Sequence, residues 1–168
     1  MRLPIVSLCA MLVPSLVRAD PGEDSAVEVF NRLGAVRRDF TSKAVISITT
    51  TRATDDDLKH LAALKNLTEL NLWCEKVTDA GLKHLATLTN LKTLSLWATK
   101  VTDVGLKDLA PLTSLTNLDL IRTGVTDAGL THLAPLKKLT LLDLRHTNVT
   151  DAGLKEFEKL VPKCVVLR

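Results

Sequence analysis

The chain has no tyrosine, only two tryptophans and three phenylalanines among its 168 residues, and no strong excess of charge of either sign. Its 22 basic residues stand against 19 acidic ones. Removing the first 19 residues, which read as a cleaved leader, takes Arg2 and Arg18 from the basic set and nothing from the acidic set, leaving 20 against 19 and a net charge of +1. So close a balance gives no support to nucleic-acid binding, which usually needs a clustered basic face. Enzyme signatures are missing as well: there is no P-loop, no dinucleotide-binding glycine fingerprint, no G-x-S-x-G and no H-E-x-x-H. No catalytic residue, cofactor or metal ligand is assigned, and the chain reads as a non-enzyme.

Long hydrophobic runs are also absent. The longest, Leu3 to Val17, is interrupted by Ser7 and Ser15 and carries Pro4 and Pro14. At about 15 residues it falls short of the roughly 20 that a membrane-spanning helix needs. With Arg2 before it and Val17-Arg18-Ala19 after it, residues 1–19 read as a secretory signal peptide cut after Ala19, which predicts export to the periplasm or the medium with no membrane attachment afterwards. Cys9 does not convert this into a lipoprotein signal, because Leu8 is too large and the apolar run before it too short.

What the sequence has in abundance is repetition. A 24-residue pattern, L-x-x-L-x-L-x-x-T-x-V-T-D-A-G-L-x-x-L-A-x-L, starts at Leu67, Leu91, Leu115 and Leu139, with a fainter copy from Lys43. A period of this length is the signature of stacked units that cannot bury their apolar faces alone. Within the unit from Leu67 to Asn90, Leu70 and Leu72 alternate with Glu69, Asn71 and Trp73, the period of a short strand with one buried face. Leu82, Leu85 and Ala86 then follow at helical spacing. Thr78-Asp79 marks the helix start, through a cap on exposed first-turn amides and negative charge at the positive end of the dipole. Which of the two residues is the cap stays open. Gly81 suggests close approach of the helix to the neighbouring turn, and Asp57 in its place predicts a looser first unit. The ninth position, Thr51, Glu75, Thr99, Thr123 and Thr147, is expected to join successive turns by hydrogen bonds, with an interruption at Glu75.

The stack has four expected parts: residues 1–19 as signal peptide, 20–42 as an N-terminal cap of helix and strand, 43–162 as five repeats, and 163–168 as a closing strand. Cys74 and Cys164 lie nearly four units apart, on the order of 18 Å at the spacing of stacked strands, beyond the roughly 7 Å that a disulfide spans between Cα atoms. Two free thiols are expected, although Cys164 remains open to pairing between molecules.

The L-x-x-L-x-L strand with its T-D-x-G-L helix start resembles the leucine-rich repeat family, most closely the 24-residue type of exported bacterial proteins. It is also similar to the cysteine-containing and ribonuclease-inhibitor types, with threonine where asparagine or cysteine is usual. The resemblance implies an α/β solenoid, a right-handed β-α superhelix with a parallel sheet on the concave face and helices on the convex face. It further implies a role in binding proteins and no reaction, since partner choice resides in variable surface residues.

Subtracting the shared pattern leaves the outward third, fifth and seventh strand positions. The fifth reads Ser47, Asn71, Ser95, Asp119 and Asp143; the seventh reads Thr49, Trp73, Trp97, Ile121 and Arg145. Trp73 and Trp97 would stand about 4.8 Å apart on adjacent strands. Flanked by Ile121, with Asn71, Asp119, Asp143, Arg122 and Arg145 nearby and His146 at the rim, they form the candidate contact surface for a protein or peptide, since Trp and Arg are enriched in such patches. The alternative is that the indoles only stiffen the sheet, while Asp143 and Arg145 pair with each other or with Arg122. Self-association through exposed sheet edges and a glycan ligand are the competing readings of the surface as a whole. His60, His84, Asp108 and His132 share the eighteenth position, but helices roughly 10 Å across spread them too far for a shared ion, and a solvated face is the reading preferred.

Overall fold

A computed structural model describes residues 21–42 and 44–168; the expected signal peptide lies outside them. Seven strands form one sheet in chain order. Helix α1 (Pro21–Leu33) leads into β1 (Gly34–Arg38), which runs antiparallel to β2 (Val45–Thr50). From β2 onward every pairing is parallel: β3 (Glu69–Leu72), β4 (Thr93–Ser95), β5 (Asn117–Asp119), β6 (Leu141–Asp143) and β7 (Val165–Leu167). Leu70, Leu94, Leu118, Leu142 and Val166 fall in one column across the sheet. The period in sequence is thus the register in space, and the closing strand keeps it. The repeated leucines are buried and form one continuous core along the stack, with Leu154 and Leu160 of the last repeat half-buried against it.

On the opposite side each of the first four repeats makes a single α-helical turn, α2 (Asp55–Leu58), α3 (Asp79–Leu82), α4 (Asp103–Leu106) and α5 (Asp127–Leu130), prolonged by a short 3-10 segment. Among the repeats only α6 (Asp151–Leu160) is a helix of length. Geometry explains the difference from the helices expected. Strands stack about 4.8 Å apart, and full helices roughly 10 Å wide would splay such a stack; the slimmer 3-10 form lets adjacent units stay close.

The Thr-Asp pairs divide their work. Threonine is the cap: the Thr78, Thr102 and Thr126 side chains accept from the amides of Ala80, Val104 and Ala128. Aspartate reaches forward to the next unit. Asp79 accepts the Thr102 N–H at 2.8 Å and its hydroxyl at 2.7 Å; Asp55 holds Thr78, Asp103 holds Thr126 and Asp127 holds Thr150 in the same way. This is the joint between units, and it explains the glycine two positions later. A Cβ on Gly81, Gly105, Gly129 or Gly153 would come within 2.1–2.4 Å of the preceding unit's aspartate oxygen. Asp57, expected to loosen the first unit, instead completes it: with no aspartate before it in the series, Thr54 donates its N–H and hydroxyl to Asp57 at 2.8 and 2.7 Å.

The ninth-position threonines correct the expectation of a ladder between turns. Thr99, Thr123 and Thr147 donate to Leu96, Leu120 and Leu144 within their own units, at 2.6–2.7 Å. The residue before each, Ala98, Arg122 or His146, takes a left-handed backbone with φ of 54–59°. In the first two units the preceding position turns inward instead: Thr50 is buried and donates to the Leu33 carbonyl at 2.9 Å, and Cys74 is buried with its sulfur 3.5 Å from the Thr50 carbonyl. The stack therefore changes turn type between its second and third units. Hydroxyl-to-carbonyl bonds between units come instead from the second position: Thr68 to Ile46, Thr116 to Lys92 and Thr140 to Thr116, at 2.9–3.0 Å.

Two thiols, Cys74 and Cys164, are free, as their separation predicts. Burial pushes both above the ordinary thiol range, Cys164 to about 11.

Candidate binding face

The seventh strand positions stand along the open face of the sheet. Trp73 is 42% exposed and Trp97 37%, and Arg145 is exposed beside the half-buried Ile121. The two indoles meet edge to face, with ring centroids 6.5 Å apart and planes at 84°. That arrangement sets the positive edge of one ring against the negative face of the other, as aromatic quadrupoles prefer. It also leaves each ring partly open to solvent.

The fifth positions, expected to point outward, form a recessed polar floor. Ser95 is 6% exposed and Asp143 7%. Their hydrogen bonds run across the strands: the Trp73 indole N–H donates to Ser95 at 3.0 Å, and Ser95 donates to Asp119 at 2.6 Å. Asp119 also accepts the Ile121 amide at 2.9 Å. Asn71 donates to Thr49 at 3.1 Å and to Glu69 at 2.9 Å. Ser95 was not singled out in the sequence, where nothing distinguishes its hydroxyl from that of Ser47; its role appears once Trp73 is seen to rest on it.

Asp143 and Arg145 are engaged with each other. The guanidinium Nε lies 3.0 and 3.1 Å from the two carboxylate oxygens, and Nη2 lies 2.7 Å from one of them. Burial pushes the Asp143 carboxyl upward, but hydrogen bonds from the Arg145 side chain and backbone, with the attraction of Arg145 and His146, carry it below the usual carboxylate range. The same pairing raises the Arg145 guanidinium further above its ordinary value. Arg122 goes elsewhere: its guanidinium carbon sits 5.9 Å from the Trp97 ring centroid, a contact worth about 0.5–1 kcal/mol at an exposed site.

The structure thus brings together Asn71, Trp73, Asp119, Ile121, Asp143 and Arg145 around one depression of about 320 Å³ on the sheet. Trp97, Arg122 and His146 join Ile121 and Arg145 around a second, of about 250 Å³. Aromatic walls over satisfied donors and acceptors suit non-covalent recognition of another surface. The histidine column stays on the 3-10 side, and no group of three or more metal-ligating side chains converges among the described residues.

The leucine-rich repeat family's sequence profile matches residues 136–157. No curated protein sequence matches the chain. Solved structures do: an internalin of Listeria monocytogenes, 25% identical over 77% of this chain and 37% of its own, with a TM-score of 0.59; a leucine-rich repeat protein of Leptospira interrogans, 21% identical over 72% and 36%, with a TM-score of 0.55; and a plant ice-binding protein, 18% identical over 90% and 56%, with a TM-score of 0.64. The chain spans little more than a third of the length of the two bacterial proteins. Periodic sequence, columnar leucines, parallel sheet and structural likeness converge, and the chain has the fold of a leucine-rich repeat solenoid.

Proposed function

We propose that this chain is an exported, non-enzymatic recognition module that binds a protein or peptide on the open face of its sheet, with Trp73 and Trp97 as the anchors. The observation that carries this reading is the pair itself. They are the only tryptophans in the sequence, they stand just past the ends of adjacent strands, and both keep over a third of their surface in water. Large rigid aromatics, one bonded to the buried Ser95 hydroxyl and the other packed edge to face against the first, are what interface hot spots are made of. Export rests on the layout of residues 1–19, and no helix among the described residues is long and apolar enough to cross a membrane.

Because both tryptophans of the sequence lie on this face, the protein's own fluorescence excited at tryptophan wavelengths reports it alone. A displayed random peptide library is sorted on the wild-type protein and on the Trp73→Ala/Trp97→Ala variant, each first shown to be folded by its thermal transition. Peptides enriched on the wild type should shift its emission and lose at least tenfold in affinity for the variant. Equal enrichment on both proteins sinks the reading.

A further inference from the structure

Resting on that reading, we infer that the C-terminal side of the face is an oxyanion-accepting subsite, and that the partner presents there an acidic side chain, Asp or Glu, next to an apolar one. The argument begins with the change of turn type. In the first two units the eighth residue, Thr50 or Cys74, is buried. In the third to fifth units it takes the left-handed conformation, and the threonine after it turns inward in its place. The eighth side chain is thereby turned to the surface, and two of the three residues so placed are Arg122 and His146, both exposed. A left-handed backbone is uncommon for residues other than glycine, asparagine, aspartate and histidine, and Arg122 takes it without belonging to that set.

What these side chains meet is specific. Arg122, His146 and Arg145 surround a depression of about 250 Å³ whose remaining walls are Trp97 and Ile121. Of the two guanidiniums, Arg145 is neutralised by Asp143. Arg122 has no carboxylate partner among the described residues and lies over the Trp97 ring. An imidazole N–H and an uncompensated guanidinium beside an indole and an isoleucine match a carboxylate carried by a short stem and an aliphatic neighbour. Asp119 holds the opposite character, since its oxygens already accept Ser95 and the Ile121 amide; the floor therefore favours a donor such as a peptide N–H. The volume admits a side chain or two, which suits an extended peptide.

The test uses resynthesised peptides from the library sorted above. Against Arg122→Asn/His146→Asn, which removes both groups while asparagine tolerates the left-handed turn, the enriched acidic peptide should lose at least tenfold in affinity, and the same loss should follow Glu→Gln or Asp→Asn within the peptide. Affinity should also fall as salt rises. Enriched peptides without acidic residues, whose binding survives this double substitution but not the double tryptophan substitution, overturn the subsite and leave the recognition face standing. No dependence on either pair overturns both. A dimer of the protein, seen by sedimentation and dissolved by Arg122→Asn/His146→Asn, would make a second copy the occupant and likewise overturn the inference.

Discussion

Asp103 and Thr126 lie 23 positions apart and form one joint: the carboxylate of the first accepts both the backbone N–H of the second, at 2.8 Å, and its hydroxyl, at 2.6 Å. Asp103→Ala removes that acceptor and leaves two donors of the next unit without a partner. The cost is expected at about 1–3 kcal/mol, measured by urea denaturation. Because the lost contact is one between neighbouring units, the transition should also broaden as the stack loses cooperativity across it.

The glycine that follows depends on the same carboxylate. A Cβ at Gly129 would sit 2.2 Å from the Asp103 oxygen, so Gly129→Ala alone should destabilise by about 1–3 kcal/mol through overpacking. Combined with Asp103→Ala, the hard contact with the carboxylate disappears and Leu106 Cδ1 at 3.0 Å is left as the tight neighbour, so the double variant should be more stable than the sum of the two single losses implies. A thermodynamic cycle that proves additive would remove the steric account of this glycine.

Ala98 sits at φ 55°, a conformation that costs an alanine roughly 1–2 kcal/mol. Ala98→Gly is expected to raise stability by about 0.5–1 kcal/mol, since the relief exceeds the added chain entropy. Cys74→Gly, at the equivalent place in the preceding unit, should do the reverse, because the buried thiol there fills space beneath an ordinary backbone.

Two carboxyls are held below their usual range: Asp127, by hydrogen bonds from the Thr150 side chain and backbone, and Asp143, where Arg145 outweighs burial. A group whose folded-state pKa is depressed contributes stability that is fully present above its unfolded value, about 3.9 for aspartate, and is lost as pH falls through the folded value. The melting temperature should therefore hold on the neutral side and drop below about pH 4. Asp143→Asn should lower the plateau and flatten that acid slope; an unchanged slope would show that the pairing contributes nothing to folding.

The leucine columns, the strands and the place of each turn could be read from the sequence because they repeat, and a register of 24 is visible without coordinates. The threonine of each Thr-Asp pair was legible as a cap for the same reason. Asp79 was not fully so: as a helix-start acid it looks complete within its own turn, and its partner Thr102 is close only once the units are stacked. The left-handed turns at Ala98 and Arg122 left no trace either, for the residues that usually announce such a backbone are missing there. Strand alternation placed Ser95 and Asp143 on the correct face but said nothing of depth, which depends on Trp73 and Arg145 lying across them. The tryptophan pair was found by subtraction, as the point where the repeated pattern breaks.

The self-contained bond of Thr54 to Asp57 has a counterpart at the far end, where Arg168 meets the carboxylate of Asp151, the last aspartate of the series. Every joint between them is the same donor pair meeting the same acceptor. A whole 24-residue module, cut or copied at equivalent points between Thr78 and Thr150, would leave each aspartate with a threonine and each threonine with an aspartate. The stack can then lengthen or shorten by whole modules without breaking a joint, while the unit around Thr54 keeps its own closed bond.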